Sequence, residues 1–222
     1  MKKTVFVILS AFCVSLGVIS SSCNGGKSEQ QKKEQDSLEQ VSKKAYKDLL
    51  FGMSISEVKK LGYLGDGPIQ NVSLEDIDDD GTIHSKDEVN GITSYMCNYK
   101  NIGNYEFDFA FLGFANDSLV EVKFQKDIDF KSSLNGAYEE LKTILDLNLG
   151  SPVYENIPNF TNPVDCDVLK YKIGTKEVEL FLNVDEDAVI MGFNKCYGYL
   201  LSIIDAPKYN KATTDSNKTS DI

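Results

Sequence analysis

Two hydrophobic periods meet in this chain, and the places where one gives way to the other limit its fold more than any other feature. Tyr105, Phe107, Phe109 and Phe111 alternate with Glu106, Asp108 and Ala110, which predicts a strand with one aromatic face. Asn116-Asp117 supplies a turn, and Val120, Val122 and Phe124 alternate back to complete a hairpin. On either side the period lengthens to that of a helix. Leu38, Val41, Ala45 and Leu49 share one helical face; Leu134, Ala137/Tyr138, Leu141, Ile144/Leu145 and Leu149 share another, stopped by Gly150-Ser151-Pro152. Strand patterns return at Val168 to Ile173, at Val178 to Val184 with Leu180 and Leu182 inward, and at Tyr197 to Ile204. The expected class is α+β, with helices packed on an antiparallel sheet. Strict alternation makes the aromatic run a sheet core before it makes a ligand platform.

The two helical segments end alike, in Leu64-Gly65-Asp66-Gly67-Pro68 and Leu149-Gly150-Ser151-Pro152. That likeness predicts an α-β-β-β unit present twice within one domain over 37–206, with halves 37–130 and 131–206. The polar stretch 207–222 is expected as a disordered tail.

The N-terminus has a different character. Two lysines precede an uncharged, mostly apolar run from Thr4 to Ile19, and small serines lead into Cys23. A positive start, a short apolar core and a small-residue cleavage site predict a signal peptide over 1–22. The run is shorter than the about 20 residues a membrane span needs. Ser20-Ser21-Ser22-Cys23 resembles the lipobox of bacterial lipoproteins. The resemblance implies that Cys23 becomes the first mature residue and carries fatty acyl chains such as palmitate. It places the protein in the bacterial cell envelope, on the outer membrane, facing the periplasm or the cell surface. Residues 23–36 then form the acylated cysteine and a flexible tether, since Asn24 to Lys33 contains no apolar residue.

Composition narrows the chemistry. Beyond the signal peptide, 21 basic residues face 34 acidic ones, a net charge of −13. Such a surface repels nucleic acid and anionic headgroups, so the membrane link is expected through acyl chains. The chain has no arginine and no tryptophan, and its one histidine is His84. It thus lacks the bidentate fork that grips phosphate or carboxylate, and has little scope for histidine-based acid–base catalysis. The expectation is a protein that is not an enzyme. Beyond Cys23 the cysteines are Cys97, Cys166 and Cys196. An exported protein has room here for one disulfide, expected between Cys166 and Cys196, with buried unpaired thiols as the alternative.

Gly52-Met53-Ser54 is followed by Glu57-Val58 and Leu61-Gly62. Ser54 and Glu57 have the spacing of a capping box, which opens a short helix. The same residues resemble the start of small outer-membrane lipoproteins of the SmpA/OmlA kind, whose layout the β-lactamase-inhibitor-protein fold doubles. The resemblance implies a scaffold or binding protein of the envelope, and carries no catalytic residue.

One segment has a coordination pattern. Asp76, Asp78 and Asp80 occupy positions one, three and five of an EF-hand-like loop, Gly81 the sharp turn, Thr82 the carbonyl position and Asp87 position twelve. Three carboxylates converging with a main-chain oxygen suit Ca2+, so a calcium-braced loop is expected, with an acidic solvated turn as the alternative. The leading expectation is therefore a lipid-anchored envelope protein of binding or assembly type, with an unknown envelope protein as partner. The rival is a glycan- or peptide-acting hydrolase or ligand-binding lipoprotein using Glu106 and Asp108 at the sheet edge.

Overall fold

The computed structural model describes residues 29–68, 88–89, 91–185 and 196–219. The helices are α1 (Glu29–Lys43), α2 (Ile55–Lys60), α3 (Leu134–Leu149) and α4 (Ala206–Thr219). The N-terminal strands are β1 (Lys44–Tyr46), β2 (Leu49–Leu50), β3 (Leu64–Pro68), β4 (Glu88–Val89) and β5 (Ile92–Cys97). Next come β6 (Asn101–Ile102), β7 (Tyr105–Glu106), β8 (Phe109–Ala115) and β9 (Ser118–Ile128). The last four are β10 (Tyr154–Glu155), β11 (Cys166–Ile173), β12 (Lys176–Asp185) and β13 (Cys196–Asp205). The signal peptide, Cys23, and the Asp76 to Asp87 loop lie outside the described residues.

Strands stand side by side in the order β10-β11-β12-β13-β9-β8-β5-β3, with β4 also on the outer edge of β5. This order has a simple logic. β3, β5, β8 and β9 step from one edge to the centre, and β10, β11, β12 and β13 step in from the other. The two final strands then pair antiparallel, Tyr197 opposite Ile128 and Ile204 opposite Glu121. Each set of four follows a helix, α2 or α3. Each set of four thus holds one strand more than the expected α-β-β-β unit, and the two sets join between Ile128 and Leu134. The β9–β13 register also defines two ends. The root is the end at Ile204 and Glu121, with the Asn116–Asp117 and Gly174–Thr175 turns; the tip is the end at Tyr197 and Ile128.

One face of the sheet carries the main core. α3 lays Leu134, Tyr138, Leu141 and Leu145 on it, the stripe the 3.6-residue period predicts. Burying each such side chain stabilises the fold by about 1.5–3 kcal/mol. Beside α3, the β1–β2 hairpin contributes Ala45, Tyr46 and Leu49, and α2 contributes Val58. The capping box forms as expected: Ser54 Oγ accepts from the Glu57 amide while the Glu57 carboxylate accepts from the Ser54 amide.

Several expectations are corrected. The first helix ends at Lys43, so Ala45 and Leu49 reach the core from a hairpin, while Leu38 and Val41 stay exposed. The chain leaves the helix because Lys47 turns left-handed (φ 48°) and Tyr46 packs edge-on against Phe124. At its other end α1 begins at Glu29, inside the expected tether, since Glu, Gln and Lys are good helix formers and Lys43 pairs with Glu39 one turn back. The expected tail is instead α4, held because Tyr209 and Ala212 meet Ile92, Ala115 and Val120 on the outer sheet face. Among the described residues no helix is long and apolar enough to cross a membrane.

Candidate functional site

The aromatic strand does not present one aromatic face. Tyr105 and Phe107 belong to the core, whereas Phe109 is 40% exposed and Phe111 is half-buried on the outer face. The chain changes sides at Asp108. Its amide donates to the Gln125 carbonyl and its carboxylate accepts from the Asp127 amide, both at the tip. From there Ala110, Leu112 and Phe114 point inward and Phe109, Phe111, Gly113 and Ala115 outward. The run Phe109-Ala110-Phe111-Leu112 is apolar at both parities, and that was the available signal: a strand apolar on both sides needs a partner on both.

Among the described residues the outer face is covered at its root. There α4 lies over Ile92, Ala115 and Val120, and Gly113 leaves room for the Ile92 and Glu121 side chains, which a Cβ would meet at 2.9 and 3.0 Å. Towards the tip the register sets out two rows. One runs Met96, Phe111, Lys123, Ser202, Glu179 and Lys170; the other runs Phe109, Gln125, Leu200 and Phe181. Phe109 and Phe111 stack with ring centroids 6.3 Å apart and planes at 16°, and Met96 beside them is 38% exposed. Glu121 with Lys123 at 3.3 Å, and Lys170 with Glu179 at 3.3 Å, put ion pairs around this apolar strip. An apolar centre with a charged rim is the anatomy of a protein-binding surface.

A second feature sits at the tip: an open, polar cleft of about 440 Å³ lined by Asn98, Tyr99, Lys100, Asn101, Asn104 and Glu106. Its walls are pre-set. Asn98 donates to the Gly62 and Leu64 carbonyls, Lys47 donates to Asn101, and the Lys47 ammonium lies 4.7 Å from the centre of the Tyr99 ring. Glu106 lines the cleft and meets Lys100 at 3.4 Å. Asp108, its expected companion, is committed elsewhere. Partial burial pushes its carboxyl up, but the Asp127 amide and Lys126 outweigh that and hold it below the usual range. The structure therefore does not join Glu106 and Asp108 into an acid–base pair.

Two carboxylates do come together on the other half. Glu155 accepts from the Tyr138 hydroxyl (2.8 Å) and Lys142, and Asp146 accepts from the Tyr171 hydroxyl (2.8 Å) and Lys142. This chain ties α3 to β10 and β11. Burial and the adjacent carboxylates push both phenols far up; hydrogen bonds to the two acids outweigh burial and push Lys142 up as well. Groups driven away from neutral pH are poor proton shuttles, so the network reads as a strut.

Cys97 and Cys166 are free thiols. The expected Cys166–Cys196 bridge is excluded by register: Cys166 lies opposite Leu182 on β12, and Cys196 pairs with Asp185 on the far side of that strand. Two strands apart means about 9–10 Å between backbones, beyond the about 7 Å a disulfide tolerates. Among the described residues no group of His, Cys, Asp and Glu side chains is placed to hold a metal ion. Of the expected calcium loop, Asp76, Asp78, Asp80, Thr82 and Asp87 all fall outside the described residues. Its flanks are placed, Pro68 opposite Tyr95 and Glu88 opposite Thr93 on the same edge of β5. The chain matches no protein-family model, no curated protein and no solved structure.

Proposed function

We propose that this is a lipid-anchored protein of the bacterial cell envelope that binds a protein partner through the middle of its outer sheet face, beyond α4. The observation that carries the binding role is the stacked Phe109–Phe111 pair beside Met96, partly exposed on a sheet whose other face carries the main core. Large apolar side chains gathered on one open face, rimmed by charge, favour macromolecular contact over scattered surface exposure. The anchor rests on the residues leading to Cys23, and the Asp76 to Asp87 loop is proposed as a calcium brace. Both readings come from sequence pattern.

The anchor is tested by mass spectrometry of the protein from its membranes. An N-terminal, acylated Cys23 is expected, and an unmodified Cys23 in the mature chain refutes the anchored reading. The face is tested by placing a photo-crosslinking residue at Phe111 and, as control, at Leu147 on the exposed side of α3. Crosslinks to a discrete protein are expected from Phe111 and not from Leu147, and are lost in Phe109→Lys. Equal yields from both positions would sink the assignment of the face.

A further inference from the structure

The two helices that bracket the domain both join it at the root. The last turn of α1 is gripped by the β11–β12 hairpin. Lys176 donates to the Val41 carbonyl at 3.2 Å and the Lys44 carbonyl at 3.4 Å, and Ser42 is buried against Gly174, where a Cβ would meet it at 3.0 Å. The neighbouring Thr175 carbonyl accepts from the Ala206 amide at 3.0 Å, so α4 leaves from the same turn. From Gln35 to Val41 every side chain of α1 is exposed. Leu38 is 53% exposed and Val41 44%, so the helix departs from the body and does not lie along it.

We infer that α1 is a stalk holding the domain root-down, so that the tip is the surface presented away from the anchoring membrane. The inference rests on the reading that Cys23, six residues before Glu29, is acylated. α1 has 15 residues, about 22 Å of helix. β13 has 10 residues, about 33 Å from root to tip. The Asn98 to Glu106 cleft belongs to the tip end, beyond the end of β5 at Cys97 and the start of β8 at Phe109, while the Met96, Phe109 and Phe111 strip, level with Ser202 and Leu200 of β13, stands mid-sheet. Both therefore stand tens of ångströms from the bilayer. The partner this geometry fits is a protein that is soluble or held by an opposing surface, since the lipid-embedded part of a neighbour in the same membrane lies at the other end.

Energy transfer on vesicles tests this. The full acylated chain, carrying Cys97→Ala, Cys166→Ser and Cys196→Ser, is labelled with a donor at Asn104→Cys (tip) or Thr175→Cys (root). It is bound to phosphatidylethanolamine–phosphatidylglycerol vesicles with an acceptor on the headgroups. Transfer several-fold stronger from residue 175 than from residue 104 is expected. Equal transfer, or stronger transfer from 104, overturns the orientation while leaving the anchor intact. A chain that does not bind vesicles overturns the anchor reading and this inference with it. If Asn104→Cys fails to fold, Lys100→Cys reports from the same end.

Discussion

Lys176 reaches from β12 to the carbonyl of Val41, 3.2 Å away, and caps α1 from a side chain only 7% exposed. The carbonyls at a helix C-terminus lack intrahelical partners and carry partial negative charge, so a buried ammonium there satisfies both deficits. It shares the inner face with Val178 and Leu180, at the root, with Asp205 opposite it in the ladder.

Replacing Lys176 with Met should therefore destabilise the protein by about 1–3 kcal/mol in urea unfolding and free α1 first, seen as faster amide exchange in Glu39 to Lys43. The pH dependence has a definite sign. Burial, aided by Lys44, pulls the Lys176 pKa down. Above its folded pKa the unfolded state binds more protons, so the advantage of the native chain over Lys176→Met grows as pH rises toward the ordinary lysine value. Only that increment is lost as pH falls through the folded pKa; the capping contribution of the ammonium remains. A difference that shrinks on going alkaline would contradict the burial of the ammonium.

The change of side at Asp108 separates two phenylalanines that are two residues apart. Phe107 is 1% exposed and packs against Tyr105 and Phe124, with centroids 4.9 Å apart in each case. Phe107→Ala should cost about 3–5 kcal/mol. Phe109→Ser, on the open face, should change stability by less than about 1 kcal/mol while abolishing partner crosslinking. Similar losses of stability from both would mean that the strand keeps one phase throughout.

That pair also shows how far sequence alone reached. α3, the Asn116–Asp117 turn and the strands after Val168 were legible because local period and local chemistry agree with tertiary burial. The first helix was not, because Ala45 and Leu49 fit a helical stripe as well as they fit a hairpin, and only the sheet beneath decides. α4 was missed for the opposite reason: beyond Ala206 its apolar contacts with the sheet are Tyr209 and Ala212, too few positions to set a period. Of the candidate site, the acids were visible but their partners were not. Asp108 is neutralised by Lys126, 18 positions away in sequence, and the outward set of β8 depends on a turn no propensity marks. The disulfide pairing failed because proximity along the chain ignores β12 lying between.

Free thiols give a direct check on that strand order. Alkylation in denaturant without reductant should modify both Cys166 and Cys196, and reductant should add nothing. A mass that rises only after reduction would reveal a bridge and disprove the β11-β12-β13 order.

Five of the six buried tyrosines among the described residues make the fold most sensitive to alkali. Burial pushes the Tyr105 phenol up to about 12, and pushes Tyr46, Tyr138, Tyr171 and Tyr199 higher. In the unfolded chain these groups ionise near about 10. Above that pH the folded state binds more protons, so stability is intact below the unfolded pKa and declines as pH rises toward the folded values. Phenolate absorbance should therefore appear in a cooperative step coincident with loss of sheet signal by circular dichroism. A smooth, non-cooperative rise near pH 10 for all 11 tyrosines would show that these rings are not buried.

The Asp-rich loop leaves and rejoins the sheet at Pro68 and Glu88, opposite Tyr95 and Thr93, positions two residues and so about 7 Å apart along β5. The sheet has already closed the loop, so an ion bound by Asp76, Asp78, Asp80 and Asp87 would order its interior and contribute little closure entropy. Extracellular calcium modules bind at about 0.1–1 mM. At 10 mM calcium and the weaker of these affinities, binding to the folded state alone adds about 1.4 kcal/mol, which raises the melting temperature by roughly 3–6 °C for a chain of this size. Asp78→Ala should remove that rise and leave the melting temperature without calcium nearly unchanged. A native chain whose melting temperature does not move at 10 mM calcium has no such brace, and the segment is then an acidic turn.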